Sequence, residues 1–436
     1  MSSYQDFFRG KRVTVLGLGL LGRGVGDAAF IAAQGGTVTV TDKKSAAELA
    51  DSVARLPSGV TMHLGGHLLA DFTDTDMVIK AAGVRLDSPE ILAATAAGVP
   101  VYMSTALAAR FARASGIHIV GVTGTRGKST VAHIIAHTLS EAGRRMHLGG
   151  NVRGVSTLAL VPEMRAGDTL VLELDSWQLQ GFGDLQLSPD IAVFTNLMPD
   201  HQNYYPDRET YFADKANIFR FQRPGDTLVC GADIATTIRA AFPQTAPVVP
   251  APVPPEWRLR VIGEHNRENT ALAAAALRAC GLAEDEIRAG LESFEPVEGR
   301  LQIVREVRGV KIYNDNNATT PEATIAALKA LDTGKKDTIL IMGGADKGLD
   351  PSTLLYEIAA RCKRVILLAG TGTDRVVPHM QDYSIFDSLE VAVHEALASA
   401  EPGDTVLFSP AFASFGMFKN EYERNDEFLH IIRNVI

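Results

Sequence analysis

Cysteine is scarce in this 436-residue chain: Cys230, Cys280 and Cys362 are the three, far apart and in no C-x-x-C spacing. That excludes a disulfide framework, gives no basis for a cysteine-ligated metal, and fits a reducing, cytoplasmic setting. Long apolar runs are missing too. No stretch of about 20 uninterrupted apolar residues is present, and the opening MSSYQDFFRGKR lacks the apolar core of a signal peptide, so neither a membrane span nor export is expected. Nor is there an excess of basic residues. The 42 Lys and Arg stand against 51 Asp and Glu, a net charge of −9, which argues against a chain that wraps nucleic acid or coats an anionic membrane. No repeat of solenoid length occurs. Small-molecule partners and a monomeric chain are the expectation.

What is present is core-forming material: 46% of the residues are hydrophobic, and the length implies several domains. Short β-branched runs alternate with helical ones (RVTVLGLG, VGDAAFIAAQGG, TVTVTD, DMVIKAAG), the rhythm of a parallel sheet with crossover helices. A second series runs from GIHIVGVTG through TLVLELDSW and IAVFTNL to DTLVCGAD. A third begins at QIVREVRGVKIYND and continues through TILIMGG, RVILLAG and DTVLFSP. The fold class is therefore α/β in three domains: an N-terminal Rossmann-like sheet, a central P-loop ATPase-like, mostly parallel sheet, and a C-terminal Rossmann-like sheet. Joints are expected near FARASG (111–116) and FEPVEGR (294–300), giving bounds of 1–113, 114–297 and 298–436. The Pro-rich PQTAPVVPAPVPPEW (243–257) reads as an extended surface loop.

The sharpest motif is VTGTRGKSTVAH (122–133): a strand, a Gly-rich turn, then Lys-Ser-Thr opening a helix. Gly124, Thr125 and Gly127 let backbone N–H groups turn toward phosphate oxygens. Lys128 supplies charge to the terminal phosphates, and Ser129 and Thr130 place hydroxyls at the helix start, where Ser129 can ligate Mg²⁺. ATP binding follows. The N-terminal Gly17-x-Gly19-x-Leu21-Gly22 lies between strand and helix, and Asp42 ends the next strand, 20 residues after Gly22. That spacing fits NAD, a UDP-sugar or a purely structural tight turn. Glu173, Asp200 and His201 each follow a strand of the second series, on the edge where the phosphate loop lies, which favours a Mg²⁺ role over a structural one. Lys215, in YFADKANIF, reads by itself as a surface lysine. Asn266 and Asn269 start a helix on one face, so one can cap it and the pair would suit an adenine edge or ribose. The stretches 314–324, 342–350 and 409–426 follow strands and read as loops able to close on a substrate; Lys347 in the second could meet a substrate carboxylate or simply be exposed.

Together G-T-R-G-K-S-T, L-E-L-D-S-W-Q-L, D-H, the lysine of A-D-K-A-N-I-F, G-E-H-N-R-E-N, N-D-N-N-A-T, G-G-A-D-K-G and S-P-A-F-A-S-F-G-M-F-K-N resemble the Mur ligases in order and spacing over nearly the whole chain. The final motif is most similar to the branch that adds D-glutamate to UDP-N-acetylmuramoyl-L-alanine. The resemblance implies that Gly17, Gly19, Leu21, Asp42 and Asn151 meet the UDP-muramoyl substrate, and that the phosphate loop with Asn269, Arg300 and Asp315 holds ATP. It also implies that Ser129, Glu173, His201 and a carbamylated Lys215 hold Mg²⁺, and that Thr319, Lys347 and Ser414 hold D-glutamate. Lys128, Lys215 and His201 would carry the catalysis. Three positions depart from the family pattern: Arg126 stands where asparagine is usual, Asp175 where serine is usual, and Asn317 where the common N-D-S-K-A-T has a lysine. The implied reaction is amide formation in peptidoglycan synthesis through an acyl phosphate, because a carboxylate needs a leaving group before an amine can displace it. Two other classes compete: a nucleotide-dependent dehydrogenase, which would leave the phosphate loop idle, and a non-catalytic Mur-like partner protein. Within the family the alternative is a ligase adding another amino acid.

Overall fold

A computed structural model of the chain describes residues 3–200 and 204–434. Its strands form three α/β sheets distributed over two compact units, one taking in Met1–Pro252 and Asn269–Leu291, the other Val253–Glu268 and Glu292–Ile436.

The first unit carries two sheets. Strands β1 (Arg12–Leu16), β2 (Thr37–Asp42), β3 (Thr61–Leu64), β4 (Met77–Lys80) and β5 (Val101–Tyr102) lie in the order β3-β2-β1-β4-β5, every pairing parallel. Strands β6 (His118–Thr123), β7 (Met146–Gly150), β8 (Thr169–Glu173), β9 (Ile191–Phe194) and β10 (Thr227–Cys230) follow in the order β10-β9-β6-β8-β7, again all parallel. Both orders reverse direction at the first strand of the sheet, so crevices open past the carboxyl ends of β1 and β6. The helix Ser104–Ala114 is buried on two sides. Its Leu107, Ala108 and Phe111 pack in the core of the first sheet, and Ala106, Ala109 and Ala112 in that of the second. Alanine on that second face permits close approach, and this shared helix explains why the two sheets make one unit.

The Pro-rich segment is the extended, largely exposed loop expected, with one strand-like contact and two buried anchors. Val248 accepts from the Cys230 backbone N–H and donates to Leu228 O, extending the edge at β10, while Val253 and Trp257 are buried. Proline is tolerated on an edge strand, where one side of the ladder needs no donor.

The second unit holds β11 (Gln302–Val307), β12 (Val310–Asn314), β13 (Thr338–Gly343), β14 (Cys362–Leu368), β15 (Tyr383–Phe386) and β16 (Thr405–Phe408), in the order β11-β12-β16-β13-β14-β15. The single run QIVREVRGVKIYND is in fact a hairpin, β11 antiparallel to β12, turned at Arg308-Gly309; the other pairings are parallel. The last strand, β16, enters between β12 and β13, which brings the ends of three strands to one edge. No described helix is long and apolar enough to cross a membrane.

Candidate functional site

Three clusters stand at strand carboxyl ends. The first is the phosphate loop after β6. Gly127, left-handed at φ 82°, caps the helix Lys128–Glu141, and a Cβ there would fall 2.2 Å from Asn269 Oδ1. A Cβ at Gly124 would fall 1.8 Å from Thr195 Oγ1. Both positions therefore require glycine, and the loop is held open as a cradle of backbone around the helix start. Lys128 Nζ folds over it, donating to Gly124 O and Thr125 O at 3.1 Å each. The segment after β9 clamps the loop: Thr125 N donates to Asn196 O, the Arg126 N–H to Asn196 Oδ1, and Met198 N to Thr125 Oγ1. Arg126 spends charge on Asp200, 3.4 Å away. Nothing in the sequence pattern singled out Thr195 or Asn196, because their partners lie about seventy residues upstream.

Lys215 is fully buried, not a surface residue. Its Nζ donates to Gly124 O at 2.9 Å and lies 4.7 Å from the centre of the Tyr211 ring. Burial first, and the nearby Lys128 charge second, hold its pKa well below that of an ordinary lysine. Asp214 beside it is driven the other way by desolvation, its oxygen taken by Gln180 at 2.8 Å and Tyr205 at 3.0 Å. Glu173, buried at the end of β8 with Val122 of β6 as its register neighbour, accepts from Asn151 Nδ2 at 3.5 Å. His201 lies outside the described residues. Among the described residues no three His, Cys, Asp or Glu side chains converge as a metal cage. The donors at this edge fit a loosely held, largely hydrated Mg²⁺ with few protein oxygens, and Lys215 becomes a fitting ligand only as a carbamate.

The second cluster surrounds a cavity of about 340 Å³ lined by Gly17, Gly19 and Leu21 after β1, Lys80 at the end of β4, and Asn151 and Asp175 from the second sheet. Asp42 is not among the lining groups. Its Oδ2 accepts from Gly19 N at 3.0 Å and its Oδ1 from Lys44 N at 2.9 Å, so it fixes the glycine turn from behind. Asp175 caps the helix Ser176–Asp184 in a reciprocal capping box with Gln178, work that serine would also do, which explains why the departure is tolerated. Lys80, which the sequence did not flag, is buried and donates to Val84 O at 3.0 Å; desolvation lowers its pKa to about 8.

The third cluster, in the second unit, joins the loops 314–324, 342–350 and 409–426. Ser409 Oγ bonds Asp315 Oδ2 at 2.8 Å, Ala411 N donates to Ala318 O, and Ala345 and Ala413 exchange backbone bonds. Lys347 Nζ donates to Thr319 Oγ1 at 3.0 Å, and Ser414, which follows Ala413 of the backbone bridge, is buried. Asn317 is turned to the backbone, donating to Glu298 O at 3.3 Å. The hub is Arg424, buried with Nε on Asn316 Oδ1 and Nη2 on Asn316 O at 2.8 and 2.9 Å, and Nη1 on Phe412 O. Burial lowers its pKa to about 10, still far above neutrality. The signal for it was helical spacing: Arg424 lies four residues before Phe428, on the apolar face. Asn266 binds locally, donating to Ile262 O, while Arg300 stands close enough for its charge to act on Asp315.

Asp315 gives a pH test. Burial pushes its carboxyl up to about 7, against the pull of Ser409, Arg300 and the Leu301 N–H. A folded pKa above the unfolded value of about 3.9 means the folded state holds the proton more tightly, so the stabilisation is complete below about pH 4 and is lost as pH rises through about 7. In Asp315→Asn the amide can accept from Leu301 N and donate to Ser409 Oγ without that dependence. Urea unfolding should show the variant gaining on the order of 2–4 kcal/mol relative to wild type between pH 4 and pH 8. Parallel pH profiles for the two proteins would refute the assignment.

Comparison with known proteins agrees along the chain. Residues 11–103 match the Mur ligase MurD-like N-terminal domain, 122–250 the Mur ligase middle domain, and 299–412 the Mur ligase glutamate ligase domain. A UDP-N-acetylmuramoylalanine–D-glutamate ligase of Roseiflexus sp. is 37% identical, covering 98% of this chain and 99% of the relative. Its namesake in Anaeromyxobacter dehalogenans is 35% identical over 96% and 97%. The fold is similar to that of the UDP-N-acetylmuramate–alanine ligase MurC of Thermotoga maritima, with a TM-score of 0.64 at 18% identity over 97% and 99% of the two chains. The MurF ligase of the same organism, solved with ADP, gives 0.61 at 18% identity over 90% and 93%. With relatives of that identity spanning almost its full length, and all three of its sheets matched by Mur ligase domains, the chain belongs to the Mur ligase family.

Proposed function

We propose that the chain is the ATP-dependent ligase that joins D-glutamate to UDP-N-acetylmuramoyl-L-alanine in peptidoglycan synthesis. The observation that carries this reading is the phosphate loop with Lys128 above it and a buried Lys215 of lowered pKa beneath it. A phosphate cradle alone would serve many reactions. Joined to relatives named for this ligation, it serves acyl activation.

On this reading residues 1–113 hold the UDP substrate at the glycine turn and Asn151 meets its sugar portion; 114–297 hold ATP on Gly124, Thr125, Gly127, Ser129, Thr130 and Asn269; and 298–436 hold the amino acid on Thr319, Lys347 and Ser414, with Arg300 and Asp315 as further candidates for the nucleotide. The structure of a relative with ADP supports the nucleotide. The substrate carboxylate attacks the γ-phosphate, ADP leaves, and the amine of D-glutamate then displaces phosphate. Lys128 offsets charge on the transferring group, and the cradle aligns it with the carboxylate. Mg²⁺, when bound, adds charge compensation at the phosphates, with Ser129, Glu173, His201 and carbamylated Lys215 as its holders. Asp42 serves by keeping the turn closed.

Phosphate release with UDP-N-acetylmuramoyl-L-alanine, measured across amino acids, tests the reading. D-glutamate should exceed L-glutamate, D-alanine and meso-diaminopimelate. Asn317→Lys should leave that order unchanged, since Asn317 is bonded to Glu298 O and Lys347 with Thr319 supplies polar contacts. Preference for a neutral or cationic amino acid would overturn the substrate while leaving ATP-dependent ligation intact.

A further inference from the structure

The cavity at the glycine turn is lined by two cations, Arg23 and Lys80, and two acids, Asp27 and Asp175, and their charges are not spent equally. The Lys80 ammonium is occupied by the carbonyls of Val84 and Ala82. Asp27 is buried, receives a hydrogen bond from Ser156 Oγ at 2.5 Å, and is pushed by desolvation toward its neutral form. Arg23 forms no ion pair within 4.0 Å among the described residues. One of its nitrogens, Nη2, donates to Asn151 Oδ1 at 2.8 Å, and the buried Nε has no protein acceptor.

Its place in the helix is also electrostatically adverse. Arg23 is the first residue of the helix Arg23–Ala33, whose opening turn has no acidic side chain and whose cap is Gly22 in the left-handed conformation. A cation at a helix N-terminus adds to the positive end of the macrodipole and is unfavourable there. A guanidinium there, facing a cavity with only the desolvated Asp27 near enough to feel its charge and no carboxylate in ion-pair contact among the described residues, has a use if an anion completes it. Arg55 also approaches this turn, but it does not line the cavity and its Nε is held by Asp51 O.

We propose that Arg23 binds the diphosphate of the nucleotide substrate directly, its fork shared between a phosphate oxygen and the carbonyl of Asn151. This rests on the UDP-substrate reading given above and adds a specificity-determining residue to it: Arg23 would reward a phosphorylated nucleoside over a bare one. The bond to Asn151 also turns that amide so that its nitrogen faces Glu173, which couples substrate binding to the edge of the second sheet.

Calorimetric titration of UDP and of uridine into wild type, Arg23→Met, Asn151→Ala and the double variant tests the proposal. Arg23→Met should weaken UDP by about ten- to a hundredfold, the range of a charge-assisted hydrogen bond, and leave uridine within about twofold. The KM for UDP-N-acetylmuramoyl-L-alanine should rise by the same factor with kcat and the KM for ATP nearly unchanged. The loss should persist when Asn151 is already alanine; its disappearance there would show that Arg23 acts only through Asn151 and would overturn direct contact. An unchanged UDP affinity in Arg23→Met, or an equal loss for uridine, would also overturn it. Failure of wild type to bind UDP at all would instead overturn the underlying substrate reading.

Discussion

Lys128→Ala is expected to lower the rate of phosphate release by about a hundredfold or more, the usual cost of removing a preorganised charge from a transferring group, while the unfolding midpoint stays nearly unchanged. The asymmetry follows from where the side chain is. Lys128 begins its helix half-exposed and lies on the carbonyls of its own loop, so its removal leaves no cavity in an apolar core. The cradle itself does not depend on the ammonium: Gly124 and Gly127 are fixed by the close approach of Thr195 and Asn269, and Thr125 by Asn196 and Met198. An ATP analogue should therefore still bind, more weakly, to a folded variant. Turnover above about a tenth of wild type would remove the phosphate-loop assignment, because no electrostatic contact of this kind is so dispensable.

The phosphate loop was legible in the sequence because everything it needs is local: strand, glycines, lysine and helix fall within twelve residues. The three-sheet architecture was legible for a similar reason, since buried parallel strands announce themselves as short apolar runs between turn residues. What escaped was set by distant pairings. Lys215 looked like a surface lysine because nothing within its own helix shows that Gly124, ninety-one residues earlier, lies over it. Arg424 and Arg23 escaped likewise, one enclosed by loops from Asn316 and Phe412, the other tied to Asn151 across two sheets. Asp42 shows the converse failure. Its spacing from the glycines was read correctly, but both oxygens face the protein's own backbone, and a spacing rule says nothing about which way a carboxylate is turned. The hairpin β11–β12 was hidden because Arg308-Gly309 interrupts a run of alternating residues without breaking its pattern.

Lys215→Ala is expected to be nearly inactive, and to recover part of its rate when formate or acetate is supplied. An ammonium close to Lys128 would repel Mg²⁺, so a useful Lys215 must change its charge. The structure favours that change. Desolvation and the Lys128 charge both disfavour the protonated form, so the neutral amine is easier to reach than on a surface lysine. A neutral amine adds to carbon dioxide: an N–C bond forms, one proton is lost, and the cation is replaced by a carboxylate on the same stem. Among the described residues no three acidic or histidine side chains converge as a metal cage, and a carbamate would add an oxygen ligand. Two readouts separate this from a merely structural lysine. Carbon-13 NMR of wild type equilibrated with labelled bicarbonate should show a carbamate resonance that Lys215→Ala lacks, and rescue by a small carboxylate requires that the variant be folded with its site otherwise intact. Inactivity with no resonance in wild type and no rescue would mean that the amine serves through its bond to Gly124 O, holding the phosphate loop in place. Full activity would return Lys215 to the core as a buried residue without a part in the reaction.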